Sequence, residues 1–166
     1  MEVGRAPRTY SASQIALHWL IAGLILFNYF YSEGMGAALH AAVQGRVGAA
    51  LPINPTVHVA VGVSVLVLTL LRLALRISVG VPAVDGTGWS RVIAKVGHKV
   101  LYLLMIAVPA IGAVTWFERF SELGDVHAIL ANALMLVALG HALTALFHQF
   151  ILKDGLLMRM IRVGHQ

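Results

Sequence analysis

Four apolar runs, at 15–31, 57–77, 96–117 and 126–152, account for most of this chain of 166 residues. Each is close to the ~20 residues a helix needs to cross the hydrocarbon layer of a bilayer. Hydrocarbon offers no water to a free backbone N–H or C=O, so each run has to satisfy its own polar groups, and a helix does this within one segment. The runs therefore restrict the chain to an all-α, integral membrane four-helix bundle. Composition agrees: 59% of residues are hydrophobic and only 11% are charged, against about 25% charged in soluble domains. Little lies outside the runs, so residues 1–166 read as a single transmembrane domain, with helices expected at about 12–31, 57–77, 95–117 and 125–151.

The connecting segments mark where the helices begin and turn. Ser11 or Ser13 is placed to cap the first, because a hydroxyl accepts a hydrogen bond from a free N–H of the first turn. Pro52-Ile53-Asn54-Pro55 leads into the second, and Gly86-Thr87-Gly88 separates the second from the third. Pro109 and Gly112 inside the third predict a kink. The Ala- and Gly-rich stretch 34–51 predicts a short surface helix or an irregular cap. The sequence has no cysteine, which excludes disulfides, thiolate metal sites and haem attached through a C-x-x-C-H motif. Residues 1–10 carry charge, but no small-residue cleavage site follows the first apolar run, so no cleaved signal peptide is expected.

The formal net charge is +5. The basic residues bracket apolar runs, which makes them a topology signal and gives no reason to expect nucleic acid as a partner. Arg5, Arg8, Arg72, Arg76, Arg91, Lys95, Lys99, Lys153, Arg159 and Arg162 fall on one side, and Arg46 and Arg119 on the other. An excess of Lys and Arg marks the cytoplasmic face, so both termini are expected there. Glu33, Glu118, Glu122 and Asp125 fall on the opposite, outer side.

That orientation gives depths to four histidines lying within the apolar helices. His18 sits near the inner start of the first helix, and His58 near the outer start of the second. His127 sits near the outer start of the fourth, with His141 14 residues further inward on the same run. On a helix that spacing is a rise of roughly 21 Å and a return to within about 40° of the same face. Two pairs result, His58 with His127 and His18 with His141, each joining two helices at one depth. A six-coordinate haem iron needs such a pair, one imidazole on each face of the ring. Ionisable residues in a membrane are costly and mark function by default. Single histidines can instead serve helix packing; four at two matched depths point to two haems and to electron transfer across the bilayer. Zinc needs three or four ligands at one point, and each pair supplies two.

Other residues have more than one reading. His98 and His148 lie at the inner helix ends, beside Lys95, Lys99 and Lys153. Either can replace His18 or His141 as ligand, contact a quinone carbonyl or a haem propionate, or simply rest among headgroups. With Ser11 or Ser13 they form the candidate quinone pocket. Arg72 and Arg76 are candidate propionate contacts or topology anchors. His40 and His165 read as solvated loop and tail residues. Gly23, Gly62, Ala107, Gly112 and Gly140 give room for a planar haem or for ordinary close helix packing. Trp19, Trp89, Trp116, Tyr29, Tyr31 and Tyr102 read as an interfacial aromatic belt.

Across nearly its whole length the chain resembles the bacterial cytochrome b561 family. The likeness rests on Tyr10-Ser11, Gln14-Ile15 and Leu17-His18-Trp19, then Val57-His58-Val59, Gly62, Leu71-Arg72-Leu73 and Arg76. It continues through Gly97-His98-Lys99, Leu101-Tyr102-Leu103-Leu104, Pro109 and Ile111-Gly112. It ends on His127, Gly140-His141-Ala142, His148 and Lys153-Asp154-Gly155-Leu156-Leu157-Met158-Arg159-Met160. The resemblance implies two b-type haems, with His18 and His141 on the inner iron and His58 and His127 on the outer. It also implies a bacterial inner-membrane location and electron exchange with ubiquinone, superoxide being one candidate outer donor.

One departure concerns that donor. The segment 118–125 between helices three and four is short and acidic, where family members often carry a longer one. An acidic loop repels an anion such as superoxide. Two roles therefore stand: a cytochrome passing single electrons from an outer donor to ubiquinone, as superoxide:ubiquinone oxidoreductase if superoxide is that donor, or a haem-bearing anchor subunit wiring a soluble dehydrogenase or hydrogenase to the quinone pool. In either case the cofactors carry the redox chemistry.

Overall fold

The structure, a computed structural model, describes residues 9–46, 54–82 and 88–162. All of its regular elements are helical: α1, Ala12–Phe30; α2, Met35–Val43; α3, Pro55–Ser78; α4, Trp89–Phe117; and α5, Glu122–Phe147. A π turn, His148–Leu152, continues α5, and a 3-10 turn, Leu157–Met160, follows. Among the described residues, four helices are long and apolar enough to cross a membrane: α1, α3, α4, and α5 together with its π turn.

Local chemistry explains where the helices start. Ser11 opens α1 with a capping box: its Oγ accepts from the Gln14 N–H at 3.3 Å, and its own N–H donates to Gln14 Oε1 at 3.0 Å. Asn54 caps α3 by accepting from the Thr56 N–H at 3.1 Å, with Pro55 at the first helical position, where its missing N–H costs nothing. Helix α4 begins at Trp89, six residues before the expected 95. Arg91 and Lys95 occupy those early turns; their long stems can lie along apolar surface while the charges reach water. The helix continues through Pro109, which cannot donate its rung of the ladder.

The connection before α5 differs from the expected 118–125. It spans only 118–121, with Arg119 in the left-handed region at φ 59°. Glu122 and Asp125 belong to the first turn of α5, where carboxylates offset the positive end of the helix dipole. Part of the acidity read as a loop property is therefore helix electrostatics.

The close helix pairs are α1–α3, α3–α4 and α4–α5. Neither α1–α5 nor α3–α5, the two combinations that carry the histidine pairs, is among them. Ile21, Val65, Thr69, Val108 and Leu134 face inward, whereas Phe30 and Ile77 are 74% and 76% exposed. Large apolar side chains pointing outward are what lipid as solvent permits.

Candidate functional site

The fold brings together both histidine pairs expected from depth. The ring centres of His58 and His127 lie 6.2 Å apart, and those of His18 and His141 lie 6.3 Å apart. An imidazole nitrogen bonds a first-row metal ion at about 2 Å. Two imidazoles on opposite sides of one iron therefore hold their ring centres roughly 6 Å apart. Both pairs match that separation, so the donor set fits a bis-histidine haem at each place.

The His58–His127 site is roomy. A cavity of about 640 Å³ contains both rings, within the usual range for small-molecule and cofactor sites. His127 Nδ1–H donates to the Val108 carbonyl at 2.9 Å. This orients the ring and leaves Nε2 as the nitrogen available to a metal, the kind of support that a metal-binding histidine usually has. Gly112 makes that position possible: a Cβ there would lie 2.7 Å from His127 Cε1 and 2.9 Å from Nδ1. His58 lies against the end of α1, with the backbone of Asn28 and Tyr31 beside its ring. Tyr29 donates to Asn132 Oδ1 at 2.7 Å across the same cavity, tying α1 to α5. Tyr29 thus does more than sit in an aromatic belt.

At the His18–His141 site a third histidine joins the pair. The His98 ring centre is 5.3 Å from that of His141, too close for an iron to lie between them in line. His98 Nδ1–H donates to the Ala94 carbonyl at 2.6 Å, so Nε2 is its free nitrogen. Arg72 is half-buried nearby; it donates through Nε to the Tyr102 hydroxyl at 3.1 Å and through a guanidinium N–H to the Gln14 carbonyl at 3.2 Å. Its charge acts on both His18 and His141. Arg76 lies one turn further along, 5.9 Å over the Tyr102 ring. These groups border a cleft of only about 10 Å³.

The candidate quinone residues are placed separately. His98 faces His141. His148 instead pairs with Asp154 at 2.5 Å, beyond the end of α5. That hydrogen bond holds the exposed Asp154 carboxyl below its ordinary range, helped by the Leu156 N–H. Ser11 is engaged as the α1 cap, and its Oγ lies 3.0 Å from that of Ser13. The chain end returns to α1, where Trp19 Nε1–H donates to the Met160 carbonyl at 2.7 Å. No local pattern announced that contact, because its partners are 141 positions apart.

Among the glycines considered as haem room, a Cβ at Gly62 would meet Asn28 at an ordinary 3.6 Å, and one at Gly23 or Gly140 would meet nothing within 4 Å. The close approach to a histidine is at Gly112. His165 lies outside the described residues.

Comparison with known proteins follows the same residues. The model of one family, described as prokaryotic cytochrome b561, matches residues 9–162. The chain is 46% identical over 153 residues to "Cytochrome b562" of Cereibacter sphaeroides, covering 92% of this chain and 95% of that protein. It is 30% identical over 177 residues to "Probable superoxide oxidase CybB" of Yersinia pestis, covering 93% and 96%. It is 25% identical to "Cytochrome b561 homolog 2" of Escherichia coli, covering 97% and 95%.

Proposed function

The chain belongs to the prokaryotic cytochrome b561 family, whose members are membrane cytochromes of electron transfer, and on that premise we propose that it holds two b-type haems and passes single electrons between an outer-face donor and ubiquinone. The observation that carries this reading is the pair of ring-centre separations, 6.2 and 6.3 Å, on ligands set 14 residues apart along α5. His58 and His127 form the outer site. His18 and His141 form the inner site, on the basic, cytoplasmic side that also carries both termini.

Each haem, when bound, supplies an iron that changes charge by one unit. The chain's own groups do the rest. Val108 fixes the orientation of the His127 ring through its carbonyl. Gly112 admits that ring to the cavity. Arg72 places a positive charge beside the inner pair and is the favoured propionate partner there, with Arg76 one turn beyond. Positive charge favours the reduced state, so the inner site should accept electrons from the outer one.

His98 is the preferred quinone contact, because its free Nε2 is next to the inner pair. His148, Ser11 and Ser13 are less favoured, being engaged in the Asp154 pair and at the α1 start. Superoxide stays a candidate donor through the relative of that name. The purified chain decides these points. Pyridine haemochrome should give two haems per chain, and ubiquinone should be reduced when superoxide is supplied. One haem per chain sinks the reading; two haems without quinone reduction leave the anchor-subunit role.

A further inference from the structure

Helix α2 is short and rich in Ala and Gly, yet Ala38 and Ala41 are only 1% and 5% exposed, among the most buried of the described residues. The helix rests on the first turn of α5: a Cβ on Gly124 would lie 3.5 Å from Leu39 Cδ2. Met35, Gly36, Leu39 and His40 form part of the wall of the cavity that contains His58 and His127. α2 is therefore a roof on that cavity.

Ile25, Val59 and Val108 give the wall apolar surface. A haem has an apolar ring and two carboxylates on one edge. Burying a carboxylate without a partner is costly, so that edge belongs at the mouth, where His40 is exposed. Apart from the His58–His127 pair, the wall's ionisable groups among the described residues are His40, Asp125 and Tyr29, whose hydroxyl already donates to Asn132, and none of them is a Lys or Arg. Ionised Asp125 cannot donate a hydrogen bond, and the Ser32 hydroxyl already donates to the Tyr29 carbonyl at 2.6 Å. His40 Nε2 lies 2.8 Å from Gln44 Nε2, and an amide nitrogen can only donate. With Gln44 donating to Nε2, the tautomer that carries its proton on Nδ1 has that N–H to give to a ligand.

We propose that α2 closes the outer haem pocket and that His40 Nδ1–H binds a propionate carboxylate of the haem held by His58 and His127. The proposal rests on the two-haem reading above. At the inner site Arg72 has the corresponding role; at the outer site a neutral donor takes it.

The test uses the purified, haem-loaded chain and its His40→Ala, His40→Gln and His40→Glu variants. Each is measured for haem content, for the rate of haem release to an excess of a haem-scavenging protein, and for both midpoint potentials. His40→Ala should release the outer haem about fivefold faster, the loss expected for one exposed hydrogen bond to a charged group. His40→Glu should release it faster still and lower the outer midpoint, because it sets a like charge beside the propionate. His40→Gln, which keeps an N–H donor, should stay near wild type. The inner haem should be unchanged throughout, which also reports an intact bundle. Two haems with wild-type release and potentials in both His40→Ala and His40→Glu overturn the role of His40. A wild-type chain with only one haem overturns the two-haem reading instead.

Discussion

The two histidine pairs share one ring-to-ring separation and differ in almost everything around it. The His58–His127 pair opens on a cavity of about 640 Å³ roofed by α2, with no Lys or Arg among the described residues of its wall. The His18–His141 pair is tightly surrounded by a third histidine and by Arg72, with Arg76 and Tyr102 beyond. Similar ring separations of 6.2 and 6.3 Å can thus be embedded in different surroundings. The ligands select the cofactor; the surrounding charge sets how readily it takes an electron.

The largest expected effect removes one site and spares the other. His58→Ala or His127→Ala should abolish the outer haem and leave the inner one; His18→Ala or His141→Ala should do the reverse. Redox titration of each variant shows which potential disappears. Loss of a haem in His148→Ala but not in His141→Ala would break the inner assignment.

Gly112→Ala sharpens the comparison without touching a ligand. The added Cβ meets the His127 ring at 2.7 Å, and overpacking of this kind costs about 1–3 kcal/mol. Outer haem affinity should fall roughly tenfold, the equivalent of ~1.4 kcal/mol. Haem content after dilution checks this, with the inner haem as internal control.

Arg72→Ala tests the electrostatic half of the contrast. Each ~1.4 kcal/mol of charge interaction lost at a site is worth about 60 mV in the midpoint of a one-electron couple. The inner midpoint should drop by about that amount while the outer one holds. Equal shifts at both sites would mean that Arg72 acts on the whole bundle.

The smallest effect concerns the chain end beside the inner site. The His148 hydrogen bond lowers the Asp154 carboxyl pKa in the folded protein. The contribution of that contact is therefore present above the ordinary carboxylate range and is lost as pH falls through the lower folded-state value. Asp154→Asn should mimic the acid state at neutral pH. Hydrogen exchange should quicken at 153–160 while both haems stay bound; unchanged exchange would show that the Trp19–Met160 contact holds the segment by itself.

The spans were legible in the sequence because apolar length and the satisfaction of backbone hydrogen bonds are properties of one segment at a time. The order of His18, His58, His127 and His141 along those spans was enough to sort them by depth into two pairs. The start of α4 was harder to read, since Arg91 and Lys95 interrupt the apolar signal without interrupting the helix. His98 and His148 looked alike, each an interfacial histidine near lysines. Their difference depends on neighbours from other turns and helices: Ala94 and His141 for one, Asp154 across a π turn for the other.

By itself, then, the sequence determined an all-helical membrane bundle, the depths of its histidines and its family, because each follows from local composition, helical rise or residue order. Only the tertiary structure decided that Gly112 admits His127, that Arg72 lies beside His18 and His141 and that α2 covers the His58–His127 cavity. Those are contacts between distant segments, and which surfaces meet depends on how the close pairs α1–α3, α3–α4 and α4–α5 turn their faces toward one another.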